Sequence, residues 1–141
     1  MENWLSPAKL TGTLFTPPVR AFMSYEIIWE RRGVVKRFFG YVTNHELMQA
    51  VLDTEGDTRF DELQYVINDF VDCTGCSISS EVVDEISAID VAAAMTNSAI
   101  RIAIVATHPD IISAAKQYAS SPSNAYPTRI FASLADARDW L

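Results

Sequence analysis

The sequence lacks several features that would each place it in a large class of proteins. No apolar run reaches the about 20 residues that a membrane-spanning helix needs, so we expect no membrane span. Only two cysteines and two histidines occur, and they do not form a four-ligand zinc pattern. A Gly-rich phosphate loop and a Ser-His-Asp order are also missing. The residues therefore indicate no enzyme, no metal and no cofactor.

Basic residues are scarce as well. The chain has 11 Lys and Arg against 18 Asp and Glu, a formal net charge of −7. A protein of this sign repels phosphate backbones and anionic lipid surfaces, so we expect no nucleic-acid partner. At 141 residues the chain is long enough for one domain with its own core. These properties predict a cytoplasmic globular protein.

Residues 1–22 read differently from the rest of the chain. They contain three prolines and show neither a sustained period of 2 nor one of 3.6. They also lack a signal-peptide pattern, and Met23 looks like a natural start before the first strand pattern. We expect 1–22 to be an N-terminal extension, disordered or not native, and 23–141 to be a single domain. The alternative is an ordered arm whose apolar side chains pack on the domain or on a neighbour.

What the sequence does contain is a regular alternation of strand and helix patterns. Segments 25–30 and 34–42 predict an antiparallel hairpin, with Gly33 supplying the positive φ of the turn. A capping box, Thr43 to Glu46, then opens the first helix. Three further strand patterns each precede a helix pattern: 64–70 before 80–97, 99–106 before 109–120, and 128–131 before 134–141. This order predicts an α/β domain with a mixed five-stranded sheet, an N-terminal β-hairpin followed by α-β-α-β-α-β-α.

The same order of elements resembles the SpoIIAA-like or STAS domain family. The resemblance is carried by Gly-Tyr-Val-Thr-Asn-His-Glu at 40–46, which leads into the first helix, and by the tail 129–141. That tail is similar to the family's ending, where a short strand precedes a helix closing on Trp-Leu. The resemblance covers about 23–141 and implies a non-enzymatic domain that binds regulatory partners. In some members a serine is phosphorylated or a nucleotide is bound.

The family's anti-sigma-factor antagonists carry Asp-Ser-Ser-Gly at the start of the helix after the third strand, and the serine is phosphorylated. The matching stretch here, 77–81, reads Ser-Ile-Ser-Ser-Glu and departs from that pattern. The resemblance implies Ser79 or Ser80 as the phosphoacceptor, where a helix N-terminus favours an anion. The alternative is that one of them is only the N-cap. With Asp69 and Asp72, these serines form the predicted interaction loop, 69–80.

Cys73 and Cys76 form a CxxC motif, a spacing typical of redox pairs whose first thiol is acidified by a following helix. The predicted helix begins near Ser80, too far from Cys76 for its dipole to act. The hairpin also comes first in this chain, whereas thioredoxin-like folds place it late. Two reduced loop thiols are therefore the alternative to a redox switch.

A strand-end ligand site is a further candidate, because open α/β sheets bind ligands outside the carboxyl ends of parallel strands. Asn68, Thr107 and His108 are expected there, although such residues are also ordinary caps and turn formers. A basic cluster, Arg31, Arg32, Lys36 and Arg37, lies on the hairpin. It is either a surface for an acidic partner or a solvated hairpin tip. Aromatic residues at 38–41 fit a covered strand or a homodimer surface.

The sequence thus predicts a non-catalytic cytoplasmic regulatory domain that binds a protein partner, open to modulation by a small ligand or by serine phosphorylation. The alternative is a carrier of a lipid or other small apolar ligand held between helices and sheet. The second alternative is a thiol redox switch at Cys73 and Cys76.

Overall fold

The chain begins, within the residues that the structure describes, with a two-stranded hairpin. The computed structural model describes residues 24–141, so the predicted extension 1–22 lies outside the described residues. Strand β1 (Tyr25–Glu30) pairs antiparallel with β2 (Gly33–Thr43). The positive φ of the turn, 59°, belongs to Arg32, so the prediction of a positive φ at Gly33 is wrong. Gly33 is instead covered by the ring of Tyr65, since a Cβ there would lie 2.0 Å from the ring's Cζ.

Within the described residues, four α-helices, one 3₁₀ helix and three more strands follow the hairpin. In chain order they are α1 (Asn44–Glu55), a 3₁₀ helix (Thr58–Glu62), β3 (Tyr65–Ser77), α2 (Ser80–Ala94), β4 (Arg101–Val105), α3 (Pro109–Ser120), β5 (Thr128–Phe131) and α4 (Leu134–Trp140). The sheet order is β1-β2-β3-β4-β5, and every pair after the hairpin is parallel. The predicted mixed five-stranded α/β sheet and its order of elements are therefore confirmed.

The two faces of the sheet carry different helices. On the three-helix face, α1, α2 and α3 cover a large core in which the rings of Phe38 and Phe70 stack with centroids 4.5 Å apart. On the α4 face, Val35 and Ile67 are covered by the single short helix and its Trp140. No helix within residues 24–141 combines the length and the apolar character needed to cross a membrane.

Strand β3 is longer than the sequence predicts. It continues to Ser77, so the predicted interaction loop 69–80 is for the most part strand, and both cysteines lie within it. The reason is pairing, because β2 itself extends to Thr43 and offers a parallel edge along its whole length. Irregular register near Phe39 and Gly40 absorbs the turn-forming residues without ending the ladder.

The first residues of the helices show how local sequence determines where each helix begins. The capping box at α1 is confirmed: the Glu46 amide donates to Thr43 Oγ1 at 3.3 Å, and the Thr43 amide donates to Glu46 Oε1 at 3.1 Å. At α3 the N-cap is His108. Because Pro109 occupies the first helical position, the residue immediately before it takes the capping geometry.

Candidate functional site

The two serines at the start of α2 have different surroundings. Ser79 is the N-cap, and its Oγ accepts from the Val82 amide at 3.2 Å and from Asn44 Nδ2 at 3.1 Å. Ser80 is the first helical residue and is exposed; its Oγ accepts from Gln117 Nε2 at 2.8 Å. The capping role therefore belongs to Ser79, and the hydroxyl of Ser80 is the accessible one.

The two aspartates predicted to share a surface with these serines lie apart from them. Asp69 is 3% exposed, and its Oδ1 accepts from the Val71 amide at 3.0 Å. Asp72 is exposed and forms an ion pair with Arg37 at 3.1 Å. Arg37 follows Lys36 in a strand, so it points to the opposite face of the sheet, the α4 face. Asp69, Asp72, Ser79 and Ser80 therefore do not form one loop surface.

The predicted strand-end site is also not assembled. Thr107 and His108 follow the carboxyl end of β4, where His108 Nδ1 accepts from the Asp110 amide at 3.2 Å. Asn68 lies in the middle of β3, opposite Lys36 of β2 and Ile104 of β4. The strand runs past Asn68, so this residue faces the interior and not the edge.

The CxxC cysteines are free thiols on β3, both half-buried against the three-helix core. Burial, followed by the charges of Asp69 and Asp72, raises the pKa of the Cys73 thiol to about 12. A redox-active thiol needs a lowered pKa, because the thiolate is the nucleophile. The surroundings of Cys73 instead raise the pKa of its thiol. Within residues 24–141 no three His, Cys, Asp or Glu side chains converge as metal ligands.

A cavity of about 90 Å³ lies between the sheet and the three helices. Its wall is mostly apolar and includes Val66, Phe70, Ile86, Ile104 and Ile111. Several polar side chains also line it: Lys36, Glu55, Asn68, Asp90, Tyr118 and Tyr126. A concave apolar site with a few convergent polar groups is the usual form of a small-molecule site.

The polar groups of this cavity interact with one another. Asp90, 5% exposed, accepts from the Tyr118 hydroxyl and is hydrogen-bonded to the carboxyl of Glu55. Burial, together with that bond and the charge of Asp90, raises the pKa of Glu55 to about 8, although Lys36 opposes the shift. Burial lowers the pKa of Lys36, against the charges of Asp90 and Glu55. Perturbed ionisable groups gathered in a cavity are characteristic of functional sites.

Sequence reasoning missed this cluster. It assigned Lys36 to a basic, solvated hairpin surface, which is wrong because Lys36 is 7% exposed and points inward. The alternation of side chains along a strand could have predicted that Lys36 is buried. Lys36 lies two residues from both Val34 and Phe38, and both are buried. Asp90 likewise follows Ile86 by four residues and so lies on the buried face of α2.

Comparison with known proteins identifies solved structures of similar architecture. No protein-family model matches the chain, and no curated protein matches it significantly. Among solved structures, the anti-sigma factor antagonist SpoIIAA in its unphosphorylated form matches with 14% identity and a TM-score of 0.55, over 82% of this chain and 96% of that one. Phosphorylated SpoIIAA, a cell fate determinant of Bacillus, matches with 15% identity and a TM-score of 0.55, over 82% and 97%.

A third solved structure is an uncharacterised protein of the DUF3478 family from Shewanella loihica PV-4. It matches with 16% identity and a TM-score of 0.49, over 83% of this chain and 91% of that one. Identities of this size establish architecture alone. On the two SpoIIAA matches, and on the sheet order above, the chain has a SpoIIAA-like, STAS-type fold.

Proposed function

We propose that the chain is a non-catalytic, cytoplasmic regulatory domain that binds a protein partner and is modulated at Ser80. The observation that supports this most directly is the division of roles at the start of α2. Ser79 caps the helix, so the exposed hydroxyl of Ser80 is free to change state without loss of the cap. The solved SpoIIAA structures, in unphosphorylated and phosphorylated forms, support a switch of this kind on the same fold.

A phosphate on Ser80 has a direct structural consequence. It would place three acceptor oxygens where the Ser80 hydroxyl now accepts from Gln117 Nε2 of α3, and so rearrange the contact between α2 and α3. It would also add negative charge beside Glu81 and Asp84, while the helix N-terminus favours an anion. Phosphorylation would therefore change both the charge and the packing of the surface that meets the partner.

We place the partner surface at the carboxyl ends of the parallel strands. Tyr41 is 57% exposed there and lies beside Gly75, whose own neighbourhood includes His108. Exposed aromatic side chains of this kind are frequent anchors in protein interfaces. Asp72, on the α4 face, is a separate position, so its substitution tests whether that face takes part.

The test is affinity capture from cells of the native host, followed by mass spectrometry of the captured protein and of native Ser80. We expect one partner to be retained by the wild-type chain and lost with Ser80→Glu. The matched control is Ser113→Glu, at an exposed serine of α3, which we expect to retain the partner. Absence of any retained partner would contradict the binding role. Equal retention by Ser80→Glu would contradict the switch alone.

The cavity favours a second candidate function, the carriage of a small apolar ligand. Its volume of about 90 Å³ is below the ~150 Å³ that holds benzene in a protein core. A lipid acyl chain would not fit without movement of the helices, so the carried molecule would be compact. A thiol switch is not proposed, because the raised pKa of Cys73 opposes it.

A further inference from the structure

Within residues 24–141, the buried side chain of Lys36 donates no hydrogen bond to an acceptor. Lys36 is 7% exposed and lines the cavity. None of the ion pairs and side-chain hydrogen bonds formed within residues 24–141 involves it; the ion pairs there join Arg37 to Asp72, Arg59 to Asp57, and Arg138 to Glu30. A buried charged donor that lacks a hydrogen bond is costly, so a molecule that supplies an acceptor would be stabilised here.

The carboxyl groups that line the cavity are not hydrogen-bonded to Lys36 in the described part of the chain. Oδ2 of Asp90 accepts from the Tyr118 hydroxyl. The charges of Asp90 and Glu55 act on Lys36 through space and oppose the lowering of its pKa by burial. A molecule in the cavity that carries an acceptor oxygen would supply the hydrogen bond that Lys36 lacks within residues 24–141.

A second donor lies beside Lys36 on the same face of the sheet. Asn68 of β3 is the register partner of Lys36, and both line the cavity. Side chains of register partners lie next to each other, so the Asn68 amide and the Lys36 ammonium form a pair of adjacent donors. One carbonyl or hydroxyl oxygen accepts from both, because it has two lone pairs.

The mixed polar lining of the cavity favours a neutral molecule. Glu55 and Asp90 line it with carboxyl groups, and Lys36 lines it with an amine. An anion would lie beside the two acidic groups and a cation beside Lys36, and either would bring an unpaired charge into a mostly apolar enclosure.

The size and the walls of the cavity define the rest of the molecule. At about 90 Å³ the cavity has room for roughly three waters at ~30 Å³ each, or for a compact apolar group. Its apolar lining includes Val66, Phe70, Ile86 and Ile111. A compact branched aliphatic body of a few carbons suits an apolar lining and a volume of this kind.

We propose that this cavity binds a compact neutral molecule with a branched aliphatic body and a carbonyl or hydroxyl head, whose oxygen accepts from Lys36 and Asn68. The site is the one that the carrier candidate would use, and its occupation does not depend on partner binding at Ser80. It assigns a specific role to Lys36 and Asn68.

The first experiment compares three probes of equal size and different charge, isopropanol, acetate and isopropylamine, each of four non-hydrogen atoms. Each is titrated at neutral pH into ¹⁵N-labelled full-length protein, and backbone amide shifts are followed by NMR. We expect saturable shifts from isopropanol in β2, β3, α2 and α3, and at least about tenfold weaker binding of the two charged probes. Tighter binding of acetate or isopropylamine would overturn the assignment of a neutral ligand.

The second experiment locates the probe with variants. Lys36→Met keeps the aliphatic stem and removes the amine, and we expect at least about a tenfold loss of isopropanol affinity. The matched control is Lys116→Met, at an exposed position of α3, which we expect to leave the affinity unchanged. Equal affinity in Lys36→Met and the wild type would overturn the proposal.

A third variant keeps the test decisive if Lys36→Met does not fold. Ala114→Leu adds bulk to the cavity wall from α3, and we expect it to abolish the isopropanol shifts. Shifts that persist in Ala114→Leu would place the probe elsewhere, and no saturable shift in the wild type would mean that the cavity holds waters only. Either result overturns the site. Neither bears on capture of a partner through Ser80.

Discussion

Glu55, at the end of α1, and Asp90, in the middle of α2, line the same cavity beside the buried side chain of Lys36. Burial, followed by the hydrogen bond to Asp90 and the charge of Asp90, raises the pKa of the Glu55 carboxyl to about 8. Lys36 opposes that shift. The polar end of the cavity is therefore a proton-binding cluster inside an apolar core, and its protonation is coupled to folding.

Stability should fall as pH rises through this cluster. Glu55 has a pKa of about 8 when folded and an ordinary value of 4.5 when unfolded, so between these values the folded state holds more protons. The free energy of unfolding is thus highest below pH 4.5, as far as Glu55 contributes, and declines up to about pH 8. The slope is at most about 1.4 kcal/mol per pH unit, and solvent screening of this half-buried group reduces it.

Urea unfolding at a series of pH values measures this slope. We expect Glu55→Gln to flatten it, because glutamine does not titrate. Glu85→Gln, at an exposed position of α2, is the matched control and should keep the wild-type slope. Parallel curves for the wild type and Glu55→Gln would refute the assignment.

Asp90→Asn should lower the pKa of Glu55. Two of the causes that raise it, the hydrogen bond from Asp90 and the charge of Asp90, involve the substituted carboxylate, while Lys36 continues to lower it. Burial remains, so the value should move toward 4.5 without reaching it. A ¹³C NMR titration of the Glu55 carboxyl carbon in both proteins gives the two values. An unchanged titration midpoint would show that Asp90 does not act on Glu55.

The thiol of Cys73 should react slowly in the folded protein. Its pKa is raised to about 12 from an ordinary value of 9.0, so the thiolate fraction at mildly alkaline pH is far smaller than in the unfolded chain. In a Cys76→Ala background, we expect alkylation by iodoacetamide to be at least about tenfold slower in buffer than in denaturant. Similar rates in the two conditions would indicate an accessible, unperturbed thiol and would support the hypothesis of a thiol redox switch.

Gly33→Ala should destabilise the protein through Tyr65. The new Cβ would lie 2.0 Å from Cζ of the ring, and the Tyr65 hydroxyl is held by Glu30. Overpacking of this kind costs about 1–3 kcal/mol. In a Tyr65→Ala background the ring is gone, and the added methyl should cost little. Urea unfolding of the four proteins forms a double-mutant cycle, and zero coupling would contradict the contact.

Much of the fold was predictable because its signals are local. The box from Thr43 to Glu46 marks the start of α1 through hydrogen bonds that span three residues. Helix α3 begins at Pro109, as its fixed φ favours. The end of β3 was not predictable in this way. Gly75 and its neighbours have turn composition, yet they are held in strand by pairing with Tyr41 and Val42 of β2.

The candidate sites divide along the same line. The sequence by itself determined the hairpin, the alternation of strands and helices, and a serine at the start of α2, since periodicity and capping act within a few residues. Only the tertiary structure decided that the side chain of Lys36 points into the interior and lines one cavity together with Asn68, Glu55 and Asp90. The physical reason is that desolvation and charge pairing depend on which elements pack together, and the parallel sheet brings these distant residues onto its three-helix face.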